Sequence, residues 1–292
     1  MNSDVFLQLT VSGLSNGMVY ALVAVGFVVI FKASDVINFA QGEFLLFGAY
    51  LAFAFIGQFG FPWSVGVLAT LLGAAMIGLI VERLVLRPLI GEPVISMIMV
   101  TIGLSSLLRA VVNGIWGARP KAFPNFIPSG EVEFLGAVVG IDRLLVIAIA
   151  AILLTILTLF FRHTRDGIAM RAIADDQQAA LSMGISIKRV LAVAWAMAAI
   201  TAAVAGIILA NTVGVSHDII FIGLRVFPVV ILGGLDSVPG AIVGGGVIGL
   251  LESYTAGYTT SGLELVVPYI VLILVLMIRP YGLFGKEIIE RV

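Results

Sequence analysis

Residues 5–31 read VFLQLTVSGLSNGMVYALVAVGFVVIF, twenty-seven positions without one charged side chain. Coiled as an α-helix, such a run is about 40 Å long, more than the hydrocarbon core of about 30 Å demands. No Lys or Arg precedes it, and it outruns the apolar core of a secretory signal, so it reads as a retained span. Water cannot be the solvent for the surface it presents.

The rest of the chain has the same character. Hydrophobic residues make up 61% of 292 positions, charged residues 11%, and the mean hydropathy is +1.17, against about 25% charged residues in a soluble domain. Further apolar runs, divided by polar or Pro/Gly punctuation, lie near 36–57, 62–87, 93–116, 143–161, 190–213 and 264–279. One more, 220–255, is interrupted by GGLDSVPG at Gly233–Gly240, where paired glycines, Asp236 and Pro239 are expected to end a helix in mid-membrane. Irregular backbone survives at that depth only against protein or a watery cavity. The expectation is therefore an all-α, polytopic integral membrane protein of about seven to eight transmembrane helices plus a broken or re-entrant pair, forming a single domain over 1–292.

Lys and Arg set the direction. With residues 162–189 inside, alternation puts eleven of the sixteen there: Lys32, Arg83, Arg87, Arg162, Arg165, Arg171, Lys188, Arg189, Arg279, Lys286 and Arg291. Arg119, Lys121, Arg143 and Arg225 fall outside, and Arg109 falls within a span. This implies an outer N-terminus and a cytoplasmic C-terminus, provided that 220–255 returns to the side it entered from.

Packing has its own signature. Lipid gives helices no hydrophobic reason to associate, so small residues must let backbones approach closely. Such ridges occur at Gly13, Gly17 and Ala21, at Ala202, Gly206 and Ala210, at Gly240 and Gly244, and at Gly245 and Gly249. An internal echo is also present: Asn38, Gly42 and Gly48 share their spacing with Asp236, Gly240 and Gly246. A true repeat would pair two broken segments, as at a transport pathway.

Enzyme machinery is missing. Ser216, His217 and Asp218 are adjacent, so their side chains cannot bond in series as a triad. GLSS at 103–106 has no intramembrane histidine to act as base. GLFGKE at 282–287 is too short for a phosphate-binding loop and lacks the hydroxyl residue after Lys286. Cysteine is absent and the two histidines are far apart, which gives no metal site. A net charge of −1 gives no reason to expect nucleic acid.

Ionisable residues inside spans are functional candidates. Arg109 either snorkels to the outer interface or faces a pathway, and Glu82 and Arg83 read as a solvated edge. Asn38, Gln41 and Glu43 cluster at the start of a span, as polar caps or as a pathway lining. With Asn16 and Tyr20 of the first run and Gly233, Gly234 and Asp236 of the broken segment, they form the candidate pathway set.

The polar island at 162–189 holds eight of the chain's thirty-three charged residues. Within it, Asp175 suits an N-cap, Gln178 the third helical position of a capping box, and Gly184 a left-handed C-cap. That predicts a helix over 176–183, too short to be stable alone. Its apolar positions Ala179, Ala180, Leu181 and Met183 give it a face on which to dock, against the membrane surface or in a groove of a soluble partner.

The segments GMVYALVAVGFVVIF, VINFAQGEFLLFGAYLAF, DGIAMRAIADDQQAALSMGI and ILGGLDSVPGAIVGGGVIGLLES resemble the inner-membrane permease of branched-chain amino acid ABC importers, over nearly the whole chain and in the family's order. The resemblance implies transport of branched-chain or other hydrophobic amino acids across a bacterial inner membrane by a chain that is not itself an enzyme. It also implies a second homologous permease, two cytoplasmic ATP-binding subunits that use the ATP, and a periplasmic substrate-binding protein, with no cofactor in this chain. Residues 171–184 then correspond to the coupling helix seated in an ATPase groove, and its residues are Arg171, Asp175, Asp176, Gln178, Ala180, Leu181, Met183 and Gly184. Gln41 stands where the family often has His and Asp236 where it often has Gly, which leaves urea, short amides or aromatic acids open as cargo. A different class, an ion-coupled transporter or channel, needs intramembrane acids or histidines that the spans almost lack. A scaffold protein would show no watery pathway.

Overall fold

The computed structural model describes residues 3–128, 130–134, 137–259 and 262–285. Lys286 and Arg291, counted above on the inner side, lie outside the described residues. The helices are α1 (Ser3–Ser34), α2 (Gln41–Ala52), α3 (Trp63–Val81), α4 (Val94–Trp116), α5 (Ile141–His163), α6 (Arg165–Asp175), α7 (Gln177–Ser182), α8 (Ile187–Val213), α9 (Ile219–Gly233), α10 (Val238–Tyr258) and α11 (Val267–Ile278). Among the described residues, five helices are long and apolar enough to cross a membrane: α1, α3 with its extension to Leu89, α4, α5 and α8. The α9–α10 pair, bent by 119°, adds a sixth if counted as one span. Helix α2, which continues as a π-helix over Phe53–Gln58, and the apolar helix Leu263–Ile278 are shorter. The expected elements are all present, several of them shorter than full spans.

Burial sorts these helices into a centre and a rim. The most apolar windows of α1 and α8 are 78% and 67% buried inside the chain, those of α3, α4 and α5 only 28%, 17% and 28%. Helices α1 and α8 are therefore the core, and the other three present apolar surface outward, as lipid requires.

The small-residue ridges make the core contacts. Helix α10 runs antiparallel along α1 with Gly245 against Gly17 and Gly249 against Gly13 and Gly17, so close that a methyl group at any of them meets opposing backbone. At the far end Phe6 stacks on Tyr254 at 5.3 Å, and Ser253 Oγ donates to the Leu9 carbonyl at 2.7 Å. Gly206 of α8 lies against Leu45, Gly48 and Ala49 of α2, and Gly78 of α3 against Trp195 of α8.

The expected break within 220–255 is present, as the turn at 234–237 between α9 and α10. It shares a cavity with Lys32 at the end of α1, Arg162 at the end of α5 and Arg171 of α6, so it lies at the island end of the bundle. The reason is local: Ser237 accepts a hydrogen bond from the Gly240 amide at 3.0 Å, and Pro239 occupies the first turn of α10, where its missing N–H costs nothing. SVPG here starts the 21-residue α10.

Helix α9 enters from the end at which α8 finished and α10 returns to the level of Phe6, so the pair re-emerges where it entered. The echo holds at one pair, since Gly42 and Gly240 both press on α9, and fails at another, where Gly48 is wedged against Ala203 while Gly246 faces open space.

Between α4 and α5 the structure adds a hairpin that the sequence reading left blank, with β1 (Glu131–Phe134) antiparallel to β2 (Ala137–Gly140). Lys121 bridges to Val215, and Asn211 Oδ1 accepts from the Phe126 amide at 3.1 Å, tying this connection to the end of α8.

Candidate translocation and coupling site

The island folds as two short helices. Thr164 accepts from the Gly167 amide at 3.1 Å and starts α6, whose Met170 and Ile173 are buried beneath it. Glycine is required at 167 because the backbone of Phe160 and Phe161 passes directly alongside. Arg189 and Asp166 clamp the two ends of the island at 2.9 and 3.1 Å.

Helix α7 is capped one residue later than its sequence suggests. Asp176 Oδ1 accepts from the Ala179 amide at 2.9 Å, while Asp175 is the last residue of α6. Gln178 consequently falls at the second helical position and the capping box does not form. An Asp-Asp pair offers two caps, and the one used is the residue that can leave the helical region: Asp176 is extended, at φ −158° and ψ 107°.

The C-terminal prediction holds. Gly184 has φ +81°, with its amide donating to Leu181 at 2.9 Å and that of Ile185 to Ala180 at 3.1 Å, the double closure that needs a left-handed residue. Ala180 points inward at 4% exposure, whereas Leu181 and Met183 are 50% and 83% exposed. The helix thus keeps one apolar anchor for the bundle and holds two apolar side chains out.

Helix α6 stands over the α9–α10 turn. Arg171 lines a cavity of about 240 Å³ with Lys32, Arg162, Asp236 and Ser237, and Asp175 lines a second of about 490 Å³ with Asp35, Asp236 and Tyr281. Burial pushes the Asp35 carboxyl above its ordinary range. Gly233 and Gly234 close the turn: Gly233 lies backbone to backbone with Gly240, and Gly234, at φ +104°, faces Gly285. The island and this turn therefore share cavity walls.

The polar start of α2 splits in two. Asn38 and Gln41 are wholly buried and satisfied: Asn38 accepts from the Ala40 amide at 3.0 Å and donates to Gln41 Oε1 at 3.2 Å, and Gln41 Nε2 donates to the Ala198 carbonyl at 3.2 Å. They seal the α2–α8 contact in this conformation. Glu43 is different, since its carboxylate accepts from Arg109 Nη2 and Ser105 Oγ of α4, both at 2.8 Å, beside a cavity. Arg109 therefore has a partner and does not act by snorkelling alone. Glu82, read as a solvated edge, is in fact 1% exposed and held by both Nε and Nη2 of Arg87, whereas Arg83 is exposed as expected.

Asn16 and Tyr20 line a fourth cavity, of about 350 Å³, with Asp142, Arg143, Thr212 and Arg225. The Tyr20 hydroxyl donates to Glu252 Oε2, and the buried Oε1 of Glu252 has no hydrogen-bond partner among the described residues. Sequence reasoning missed Glu252, although a carboxylate alone in an apolar run was the available signal.

A family model described as branched-chain amino acid transport system / permease component matches residues 9–276. The chain belongs to this family. It is 31% identical to the high-affinity branched-chain amino acid transport system permease protein LivH of Salmonella typhimurium, and 32% identical to BraD of Pseudomonas aeruginosa, each over 98% of both chains. It is 28% identical to a probable branched-chain amino acid transport permease protein LivH of Methanocaldococcus jannaschii, over 91% of this chain and 88% of that one. No solved structure matches. Each cavity of this permease described above is bounded by α1 or α9, the helices that flank α10 on its two sides.

Proposed function

We propose that this permease is the membrane subunit of an ATP-binding-cassette importer in a bacterial inner membrane, passing branched-chain amino acids inward. The observation that carries the reading is the likeness over 98% of both chains to proteins named for high-affinity branched-chain amino acid transport. Its N-terminus is outside and its C-terminus cytoplasmic. Its partners are a second homologous permease, two ATP-binding subunits that hydrolyse the ATP, and a periplasmic binding protein.

The island over 162–189 is the cytoplasmic coupling loop, and its form supports this role. Leu181 and Met183 stand out where an ATPase groove can take them, while Arg171 and Asp175 share cavity walls with Asp236. Closure of the ATPases would push α7, tilt α6 and move the α9–α10 turn as one hairpin. Asn16, Tyr20, Glu43 and Asp236 line cavities at different depths, and Asn38, Gln41, Gly233 and Gly234 hold the walls between them.

The test is expression of the complete transporter in cells lacking their own branched-chain importers, followed by uptake of labelled leucine, isoleucine, valine, phenylalanine and urea. Saturable uptake of the first three is expected. Uptake of urea or phenylalanine in their place would overturn the substrate assignment.

A further inference from the structure

The Glu43–Arg109 pair sits where an ion pair is hard to explain by packing alone. Arg109 is the sixteenth of the 23 residues of α4, well inside the apolar span, and its side chain is 48% exposed on the chain surface. An arginine facing acyl chains at that depth is costly, and such residues normally face water or protein. Its partner Glu43 is 2% exposed, with one carboxylate oxygen taking both Arg109 and Ser105.

Around the pair lies a small cavity of about 150 Å³ walled by Phe27, Phe39, Leu224 and Phe227. Phe227 touches both other rings, with centroids 5.1 and 5.3 Å away. The site therefore offers one fixed cation, one fixed anion and an apolar wall within a few ångströms.

We propose that this cavity is a recognition point on the translocation path for zwitterionic amino acids with aliphatic side chains. The ligand carboxylate takes Arg109, the ligand ammonium takes Glu43, and the side chain packs on the phenylalanines. Before and after entry every charge has an opposite neighbour, so exchange strands none. A ligand lacking either charge leaves Arg109 or Glu43 unpaired in a poorly solvated place, and is rejected for that reason.

The inference rests on the amino-acid reading above, and its test separates the two. The chain contains no cysteine, so Ser105→Cys or, on the opposite wall, Leu224→Cys introduces a single thiol. Each is placed in the complete transporter in lipid nanodiscs, checked for assembly with the ATP-binding subunits, and labelled with a small methanethiosulfonate reagent. Leucine at about ten times its Kd should slow labelling about tenfold. Leucinamide and 2-hydroxy-4-methylpentanoate at the same concentration should slow it less than about twofold.

Absence of labelling at both positions, labelling indifferent to leucine, or equal protection by all three compounds would each overturn the proposal. ATP-driven leucine uptake by the unsubstituted transporter is measured alongside. Uptake without protection sinks the recognition point alone, and lack of uptake sinks the reading beneath it.

Discussion

Replacing Asp176 with alanine removes the one side-chain cap of a helix only six residues long. The lost bond is that from the Ala179 amide to Asp176 Oδ1, 2.9 Å in length. Loss of such a cap costs about 1 kcal/mol, within a range of roughly 0.5 to 2. Helix α7 has little to offset it, because Ala180 is its only buried side chain and a helix this short has no stability of its own. The whole cost then falls on the local opening equilibrium, which should shift about fivefold, since about 1.4 kcal/mol is a factor of ten.

Hydrogen exchange followed by mass spectrometry on the permease purified without its ATP-binding subunits reads this directly. Amides of residues 179–185 should exchange about fivefold faster in Asp176→Ala and at the original rate in Asp176→Asn, which keeps an acceptor at the cap. Asp175→Ala should leave the Ala179 amide protected, because Asp175 belongs to α6. Unchanged exchange in Asp176→Ala, or acceleration by Asp175→Ala alone, would refute the cap assignment and the break between α6 and α7.

Other outcomes follow from the same geometry. Gly17→Val inserts a branched side chain against the Gly245 backbone and should cost about 3 kcal/mol or more, read as loss of monodisperse protein after solubilisation. Gly234→Ala forces a methyl group into a left-handed φ of +104° beside Gly285, with about 1–2 kcal/mol of strain and a lower unfolding temperature. Tyr20→Phe removes the hydroxyl that holds Glu252 and should destabilise by about 1 kcal/mol, an effect that vanishes when Glu252 is already leucine. Leu181→Asp combined with Met183→Asp should abolish co-purification of the ATP-binding subunits and leave the melting of the isolated chain unchanged, since both side chains are exposed.

The spans were legible because hydropathy and length act residue by residue, and lipid tolerates few exceptions. The Gly13–Gly17 and Gly245–Gly249 ridges were legible too, although the sequence could not say that they face each other. What it left open was the level of the break within the bundle. SVPG reads equally well as a helix breaker and as a helix start, and only the level of Lys32 and Arg171 beside it settles the matter. Glu82 was misread for a similar reason, since its cover comes from Arg87 five residues on and from a π-helical turn that no periodicity announces. At the candidate site, Glu43 was visible as a polar residue in an apolar block, but its partners Arg109 and Ser105 lie more than sixty positions away. The sequence put the cap at Asp175, one residue early, because both aspartates can accept an amide bond and the choice depends on where α6 stops.

The central claim is that this chain conducts an amino acid and takes its energy from ATP hydrolysed by other subunits. The most direct measurement is accumulation of labelled leucine in proteoliposomes holding the complete transporter, with the binding protein outside and ATP inside. The account predicts accumulation above the external concentration that requires ATP, requires the ATP-binding subunits, and persists when proton and sodium gradients are collapsed. Accumulation driven by an ion gradient without ATP would contradict it.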